Sequence, residues 1–371
     1  MKIEIEGEET LKPSGEGSLG ADIYPDAEVN IYPERASVFQ IKRKWEKDPP
    51  MLNLSPTFQR EFVWPERKRC ELVESIIMGI PLPAFYVKED NEGVYVVVDG
   101  KQRLTTLFSF INGEFKLKGL KILRSLNGKK FSDLLPVQQN KIEDYTLQLN
   151  VIKPPTSDRV VFDLFDRVNR GGVNLNNQEM RNALYQGTAT KLLDELAQYQ
   201  EFKEATENAV SAKHMKDRYI ILRFLAFYMW HKQISFDEKN NALQYRSDME
   251  DFLGETMRFI NRQAEDSALV VKLKEVFKKT MLLAKDTIVV LGGFRLPPKT
   301  GGNKRPLNMV FFESLSVLLA NLKISSFEHV KSIYTSLLDD PRYVDSLTYS
   351  IDSNVKIRAR YEIVNSYILR E

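Results

Sequence analysis

The period of the apolar residues changes near residue 155 of the chain. Before that point, short apolar runs lie between Gly, Pro and Asp residues, as is typical of strands joined by turns. They predict strands at 84–88, 94–98 and 145–152, and the turn at Asp90–Gly93 joins the first two as a hairpin. Two helices are predicted in the same part, one over 36–47 and one that ends at Gly79.

Beyond residue 155, apolar residues recur at helical spacing almost throughout. They predict a helix after Asp158, one that begins near Asn176, and long helices at about 215–232, 241–263, 266–286, 309–322, 326–338 and 355–369. The only strand-like run is a weak one, T-I-V-V-L at 287–291. The chain is therefore predicted to have an α+β fold, in which a part with a small sheet precedes a mostly α-helical part.

The most informative junction lies where the predicted strand 94–98 gives way to a helix at Asp99-Gly100. The first turn of a helix carries unpaired N–H groups and the positive dipole end, which suit a phosphate. Gly100 allows close approach of the backbone, and Lys101 and Arg103 can neutralise phosphate charge. Asp99 can hold a divalent cation or orient a water. The alternative is that Asp99 only caps the helix.

Composition indicates the class of protein but not its function. The 371 residues are 43% hydrophobic and 28% charged, as in a globular protein of one or two domains. A net charge of +2 gives no global reason to expect nucleic acid, so any basic surface must be local. The single cysteine, Cys70, excludes a disulfide within the chain. With no signal-peptide pattern and no long apolar run, we expect a cytoplasmic protein.

Four separated segments share their order and spacing with one family. They are F-Q-R-E-F-V-W-P at 58–65, E-S-I-I-M-G-I-P-L-P at 74–83, V-V-D-G-K-Q-R-L-T-T-L at 97–107 and R-V-N-R-G-G-V-N-L-N-N-Q-E-M-R-N-A-L at 167–184. Together they resemble the N-terminal-domain family of GmrSD-type restriction enzymes, which has a ParB/sulfiredoxin-like fold. The similarity spans residues 35–190, and segment 217–227 is similar to the helical part that usually follows.

This resemblance implies three parts: an N-terminal extension (1–34), a ParB-like nucleotide-binding domain (35–190) and a helical domain (191–371). The family's hallmark D-G-Q-Q-R motif binds nucleoside triphosphates (NTPs) and in some members hydrolyses them. The resemblance therefore implies an NTP of undetermined base, with Mg²⁺. Members act in bacterial defence against phage DNA, which implies DNA and a separate nuclease or effector as partners. Oligomer formation stays open.

The junction and the resemblance together assign the candidate site. Asp99 and Arg103 are the candidate catalytic residues, and Asp99 is also the candidate metal ligand. The candidate nucleotide-binding residues are Gln59, Arg60, Gly100, Lys101, Gln102, Asn169, Arg170, Gly171 and Gly172. For two groups a structural alternative stays open: Arg60 pairing with an acidic neighbour, and the two glycines 171–172 forming a helix C-cap.

The chain departs from the family pattern in two places. Lys101 stands where the motif usually has Gln, which adds charge beside the expected phosphates. The chain has three histidines, none in an HNH-like arrangement, although such a nuclease needs His to activate water and hold its metal. We therefore expect a partner, rather than this chain, to cut DNA. The sulfiredoxin activity is rejected, because the phosphate loop has no cysteine.

Three further features lie outside this candidate site. Glu179 fits a capping box at the helix that begins near Asn176, and Arg181 either reaches the site or forms a surface ion pair. The stretch 292–309 contains Arg and Lys but no acid, so it is either a DNA contact or a solvated loop. The aromatic residues of 224–230 are expected in the core.

Three functions follow as hypotheses. The first is an NTP-hydrolysing regulator in a restriction or anti-phage system. The second is a ParB-like module that uses nucleotide as a switch with little turnover. The third is a DNA-binding scaffold with a vestigial nucleotide pocket.

Overall fold

A computed structural model describes residues 6, 30–54, 64–90, 92–154, 156, 160, 161, 164, 176–234, 242–298, 305–323 and 326–369. The chain divides into two compact units. Ser18–Asn174 form the first, here called the sheet unit, and Met1–Gly17 with Leu175–Glu371 form the second, the helical unit. The expected domain boundary at 190/191 thus lies inside the helical unit.

The sheet unit is built around one five-stranded mixed sheet with the order β1-β5-β3-β4-β2. Its strands are β1 (Ile31–Ser37), β2 (Leu52–Asn53), β3 (Phe85–Glu89), β4 (Tyr95–Asp99) and β5 (Thr146–Ile152). The pairs β1/β5 and β3/β4 are antiparallel, whereas β3/β5 and β2/β4 are parallel. The predicted hairpin is confirmed as β3 and β4. The predicted strand at 145–152 is confirmed as β5.

Strand β1 was not predicted, because its sequence I-Y-P-E-R-A-S contains a proline and few apolar residues. It lies at the edge of the sheet, where a missing N–H is tolerated, and pairs along its whole length with β5, from Ile31 opposite Ile152 to Ser37 opposite Thr146. The expected boundary between extension and domain, at 34/35, therefore falls inside this strand.

The helices of the sheet unit whose bounds lie within the described residues are α1 (Val38–Glu46), α2 (Glu66–Ile77), α3 (Lys101–Ile111) and α4 (Pro136–Glu143). Ser37 and Gln40 form a capping box that starts α1 directly after β1. Alternate residues of β4 and β5, such as Val97 and Leu149, share one hydrophobic core with residues of α1 to α3, such as Leu107. This core fixes the start of α3 relative to the sheet.

Helices dominate the described part of the helical unit. They are α5 (Asn177–Leu184), α6 (Thr188–Gln198), α7 (Gln200–Ala205), α8 (Lys216–His231), α9 (Met249–Asn261), α10 (Ala268–Asp286), α11 (Ile288–Leu291), α12 (Met309–Leu319), α13 (Phe327–Asp339), α14 (Pro341–Ser346) and α15 (Asn354–Ile368). The six long helices predicted beyond residue 215 are all present. The strand-like run at 287–291 forms the short helix α11 instead.

The helical unit contains a cluster of four charged side chains, two positive and two negative. Arg223 and Glu313 are fully buried and form an ion pair of 2.6 Å, and Arg223 also pairs with Asp352 at 2.8 Å. The fully buried Arg360 donates to Glu313 at 3.5 Å and to the backbone oxygen of Ser346 at 3.0 Å. Burial lowers the pKa of Arg223, but Asp352 and Glu313 outweigh it and hold that pKa well above its ordinary value.

The burial of Arg360 bears on the basic run K-I-R-A-R at 356–360, whose charge alone suggests a contact with nucleic acid. Because Arg360 is fully buried and bonded within the protein, it is not part of a nucleic-acid surface. Among the described helices of both units, none has the length and apolar character to cross a membrane.

Candidate functional site

A tight turn joins strand β4 to helix α3. Asp99 ends the strand, and Gly100 has φ of 100° and ψ of 4°, a left-handed conformation that costs little only for glycine. A Cβ atom at Gly100 would lie 2.1 Å from Cδ1 of Phe85, which is itself buried in β3. The turn therefore requires glycine both for its backbone angles and for its packing against the neighbouring strand.

Asp99 and Arg103 form an ion pair across this turn. The Nη2 atom of Arg103 donates to Oδ2 of Asp99 at 2.7 Å and to the backbone oxygen of Ala84 at 3.3 Å, and Nη1 donates to the backbone oxygen of Pro83. The guanidinium lies 4.1 Å from the centre of the Phe85 ring. Arg103 thus ties the turn to the segment that leads into β3.

The two partners differ in their access to solvent. The side chain of Asp99 is 31% exposed, whereas that of Arg103 is only 11% exposed. Burial lowers the pKa of Arg103, and Asp99 counteracts this effect. Asp99 does not cap α3: the N-cap is Gly100, and the carboxylate accepts from Arg103 instead. The arrangement presents one oriented carboxylate at the surface above a buried arginine.

The first turn of α3 is basic. It contains Lys101 and Arg103 but no acidic residue, which is the unfavourable arrangement for the helix dipole unless an anion is present. Burial lowers the pKa of Lys101 from 10.5 to about 8. Gln102 accepts a long hydrogen bond of 3.4 Å from the backbone N–H of Trp64, at the described edge of the 58–65 motif.

The structure brings five of the predicted site residues together, Asp99 to Arg103. The others, Gln59, Arg60, Asn169, Arg170, Gly171 and Gly172, lie outside the described residues, so their roles stay predictions. Arg103 was expected to bind phosphate, and this too stays a prediction. In the structure both Nη atoms of Arg103 already donate to protein oxygens.

Helix α5 belongs to the helical unit and is polar yet buried along its whole length. Asn176 and Glu179 form the predicted capping box, and Oε1 of Glu179 also lies 3.1 Å from Nδ1 of His214. Arg181 is fully buried and pairs with Glu250 at 2.7 Å, so of its two interpretations the surface ion pair is wrong. Neither His214 nor Glu250 had been singled out, because both lie far from α5 in sequence.

The basic stretch 292–309 is partly neutralised. Arg305 pairs with Glu6 at 2.7 Å, and Arg295 pairs with Glu207. Lys299 and Lys304 lie outside the described residues. The two arginines of this stretch are therefore engaged by acids of the same chain.

Comparison with known proteins gives one family. Residues 41–186 match the family described as GmrSD restriction endonuclease, N-terminal domain. No curated protein and no solved structure matches the chain significantly. The matched stretch contains the whole Asp99–Arg103 junction. Residues 41–186 therefore form a domain of the GmrSD N-terminal type, which implies a role in a restriction or phage-defence system.

Proposed function

We propose that the chain binds a nucleoside triphosphate at the β4–α3 turn and hydrolyses it, as the regulator of a restriction system that acts on DNA through a partner. The observation that carries this proposal is the pair formed by Asp99, partly exposed, and Arg103, buried, at the basic start of α3. Phosphoryl transfer chiefly requires positioning and neutralisation of charge, and this turn supplies both.

Each residue of the turn has a role in this proposal. The N–H groups of the first turn of α3 and the ammonium of Lys101 face the phosphates. Asp99 orients the attacking water or serves as the carboxylate ligand of Mg²⁺, which commonly takes one or two carboxylates and completes its shell with phosphates and water. Mg²⁺, when bound, neutralises phosphate charge. Arg103 holds the Asp99 carboxylate in place.

We expect the Asp99→Ala variant to lose at least about 100-fold in phosphate release from NTPs in the presence of Mg²⁺, since it removes the only proposed acid. All four NTPs are assayed, because the base is not known. The matched control is Glu92→Gln, which removes an exposed carboxylate from the hairpin between β3 and β4. Unchanged hydrolysis in Asp99→Ala would refute the catalytic role.

The chemistry of Lys101 gives a second prediction. Because its pKa is lowered to about 8, the ammonium loses its proton as the pH rises through that value, and phosphate binding weakens. We expect about tenfold weaker NTP binding at a pH of about 9.5 than at about 7, measured by calorimetry, since a charge-assisted hydrogen bond contributes about 1.5–3 kcal/mol. In Lys101→Gln, which restores the residue usual in the family, this pH dependence should disappear. An identical pH profile in both proteins would contradict the contact.

A nucleotide switch with little turnover is the second candidate. Both Nη atoms of Arg103 are bonded to Asp99, Pro83 and Ala84, which leaves fewer donors for a transferring phosphoryl group. The two candidates differ in one measurement. Calorimetric binding without phosphate release, together with partner affinity that depends on nucleotide, would select the switch.

A further inference from the structure

A second surface of the sheet unit concentrates positive charge away from the Asp99 turn. The segment 114–130, called the basic segment here, contains six basic residues and one acidic residue. The acid is Glu114, and the basic residues are Lys116, Lys118, Lys121, Arg124, Lys129 and Lys130. The whole chain has a net charge of only +2, so this excess is a local property of the fold.

Residues of the segment alternate between the hydrophobic core and solvent, so its basic side chains lie on the solvent side. Phe115 and Leu117 are buried, and the lysines that follow each of them, 116 and 118, are exposed. Lys121 and Arg124 are exposed as well. The apolar residues thus anchor the segment in the core while the basic side chains face solvent.

Hydrogen bonds that the backbone of the segment donates to side chains of α2 hold the segment in a fixed position. Oε1 of the buried Glu74 accepts the backbone N–H groups of Ile122 at 2.9 Å and Leu123 at 2.8 Å. The Sγ atom of Cys70 accepts from the N–H of Lys118 at 3.3 Å. These contacts act on the backbone. Of the exposed cations, Lys118 pairs with Glu66 of α2 at 3.0 Å, and Nε of Arg124 donates to the backbone oxygen of Lys121 at 3.1 Å.

The start of α2 extends the same surface. Arg67 and Lys68 are exposed, and the guanidinium of Arg69 lies 3.9 Å from the centre of the Phe115 ring. The pKa of Glu71 is lowered, first by its hydrogen bond with Arg67 and also by the charges of Lys121 and Lys68. Cations of α2 and of the basic segment therefore lie close enough to act on one carboxylate.

We propose that this surface, formed by Arg67, Lys68, Lys116, Lys121 and Arg124, binds the phosphate backbone of double-stranded DNA. Fixed and exposed cations in this number give sequence-independent attraction to a polyanion. Neither α2 nor the basic segment carries an exposed aromatic side chain, so stacking on single-stranded bases is not favoured. Ile122 is the one large exposed apolar residue of the segment, too little for insertion into a lipid surface.

This inference takes its DNA partner from the proposed function but requires none of the nucleotide chemistry at Asp99. It also replaces the stretch 292–309 as the candidate DNA contact. Both described arginines of that stretch are paired with acids, whereas among the described residues only Arg67 of the proposed surface has such a partner, Glu71. Contact with phosphates alone does not depend on whether the bases are modified.

The test is a triple variant, Lys116→Ala/Lys121→Ala/Arg124→Ala, titrated into a fluorescent DNA duplex at several salt concentrations. We expect at least about tenfold weaker binding at low salt, and a slope of log affinity against log salt that is smaller by about 2–3, since each phosphate contact contributes about 0.9. The control, Lys232→Ala/Lys272→Ala/Lys279→Ala, removes three exposed lysines from the helical unit and should bind like the original chain.

Three results would overturn the proposal: no loss in the first variant, equal loss in both variants, or loss of binding to phosphatidylserine vesicles with DNA binding intact. Unfolding midpoints of both variants check that the fold is retained. An assay of phosphate release from NTP, run without DNA, separates this inference from the proposed function. If the triple variant binds DNA weakly but hydrolyses NTP normally, the result supports DNA binding at this surface. That result holds even if Asp99→Ala hydrolyses NTP at an unchanged rate.

Discussion

Replacing Glu313 with glutamine lowers the free energy of unfolding by about 3–5 kcal/mol, the cost of breaking a buried ion pair by removing one partner. Glu313, Arg223 and Arg360 are all fully buried. Glutamine keeps the shape of the side chain but removes its charge, so two buried guanidinium groups are left with Asp352 as their only acid in the cluster. The measurement is urea unfolding followed by circular dichroism, with comparison of midpoints and slopes.

Glu275→Gln is the matched control, because Glu275 lies exposed on α10 and the chemical change is identical. We expect it to change stability by less than about 0.5 kcal/mol. If Glu313→Gln costs no more than this control, the ion pairs of Glu313 with Arg223 and Arg360 do not stabilise the fold. Burial raises the pKa of Glu313, and Arg223 and Arg360 counteract this effect.

The Gly100→Ala variant is expected to lose about 2–5 kcal/mol of stability, from about 1–2 kcal/mol for the left-handed backbone and about 1–3 kcal/mol for overpacking against Phe85. The new Cβ would lie 2.1 Å from Cδ1 of Phe85, and the ring would have to move. Because the Arg103 guanidinium stacks on that ring, nucleotide binding should weaken together with stability.

Gly113→Ala separates the two causes. Gly113 has φ of 75° just after the end of α3, yet a Cβ there would meet no atom within 4 Å. This control should therefore show only the backbone cost, about 1–2 kcal/mol, with nucleotide binding retained. Equal losses in the two variants would mean that the contact with Phe85 does not constrain the turn.

Local sequence patterns were sufficient where the structure depends on nearby residues. The hairpin β3–β4, the turn at Gly100 and the capping box of Asn176 with Glu179 each involve residues close together in the chain, and each was predicted. Strand β1 was not, because its place depends on pairing with β5, more than 100 residues later, and its own composition is polar.

Electrostatic partners were the least predictable part of the site. Arg103 could be recognised as functional from its motif, but its bonds to Pro83 and Ala84 depend on how the chain returns beside the turn. Arg181 resembled a surface residue, yet it pairs with Glu250, 69 residues away, inside the protein. A charge pattern in the sequence gives the sign of a side chain's charge, but it gives neither how deeply the side chain is buried nor its ion-pair partner.

The position of Cys70 makes the anchoring of the basic segment measurable without any mutation. Cys70 is the chain's single thiol, it is fully buried, and its Sγ atom lies between the backbone of Lys116 and Lys118. Burial raises its pKa, so little reactive thiolate exists while the segment stays in place. The rate of labelling by a maleimide therefore reports the opening of the segment from α2. When reclosing is faster than labelling, the ratio of this rate to that of a free thiol gives the free energy of local opening.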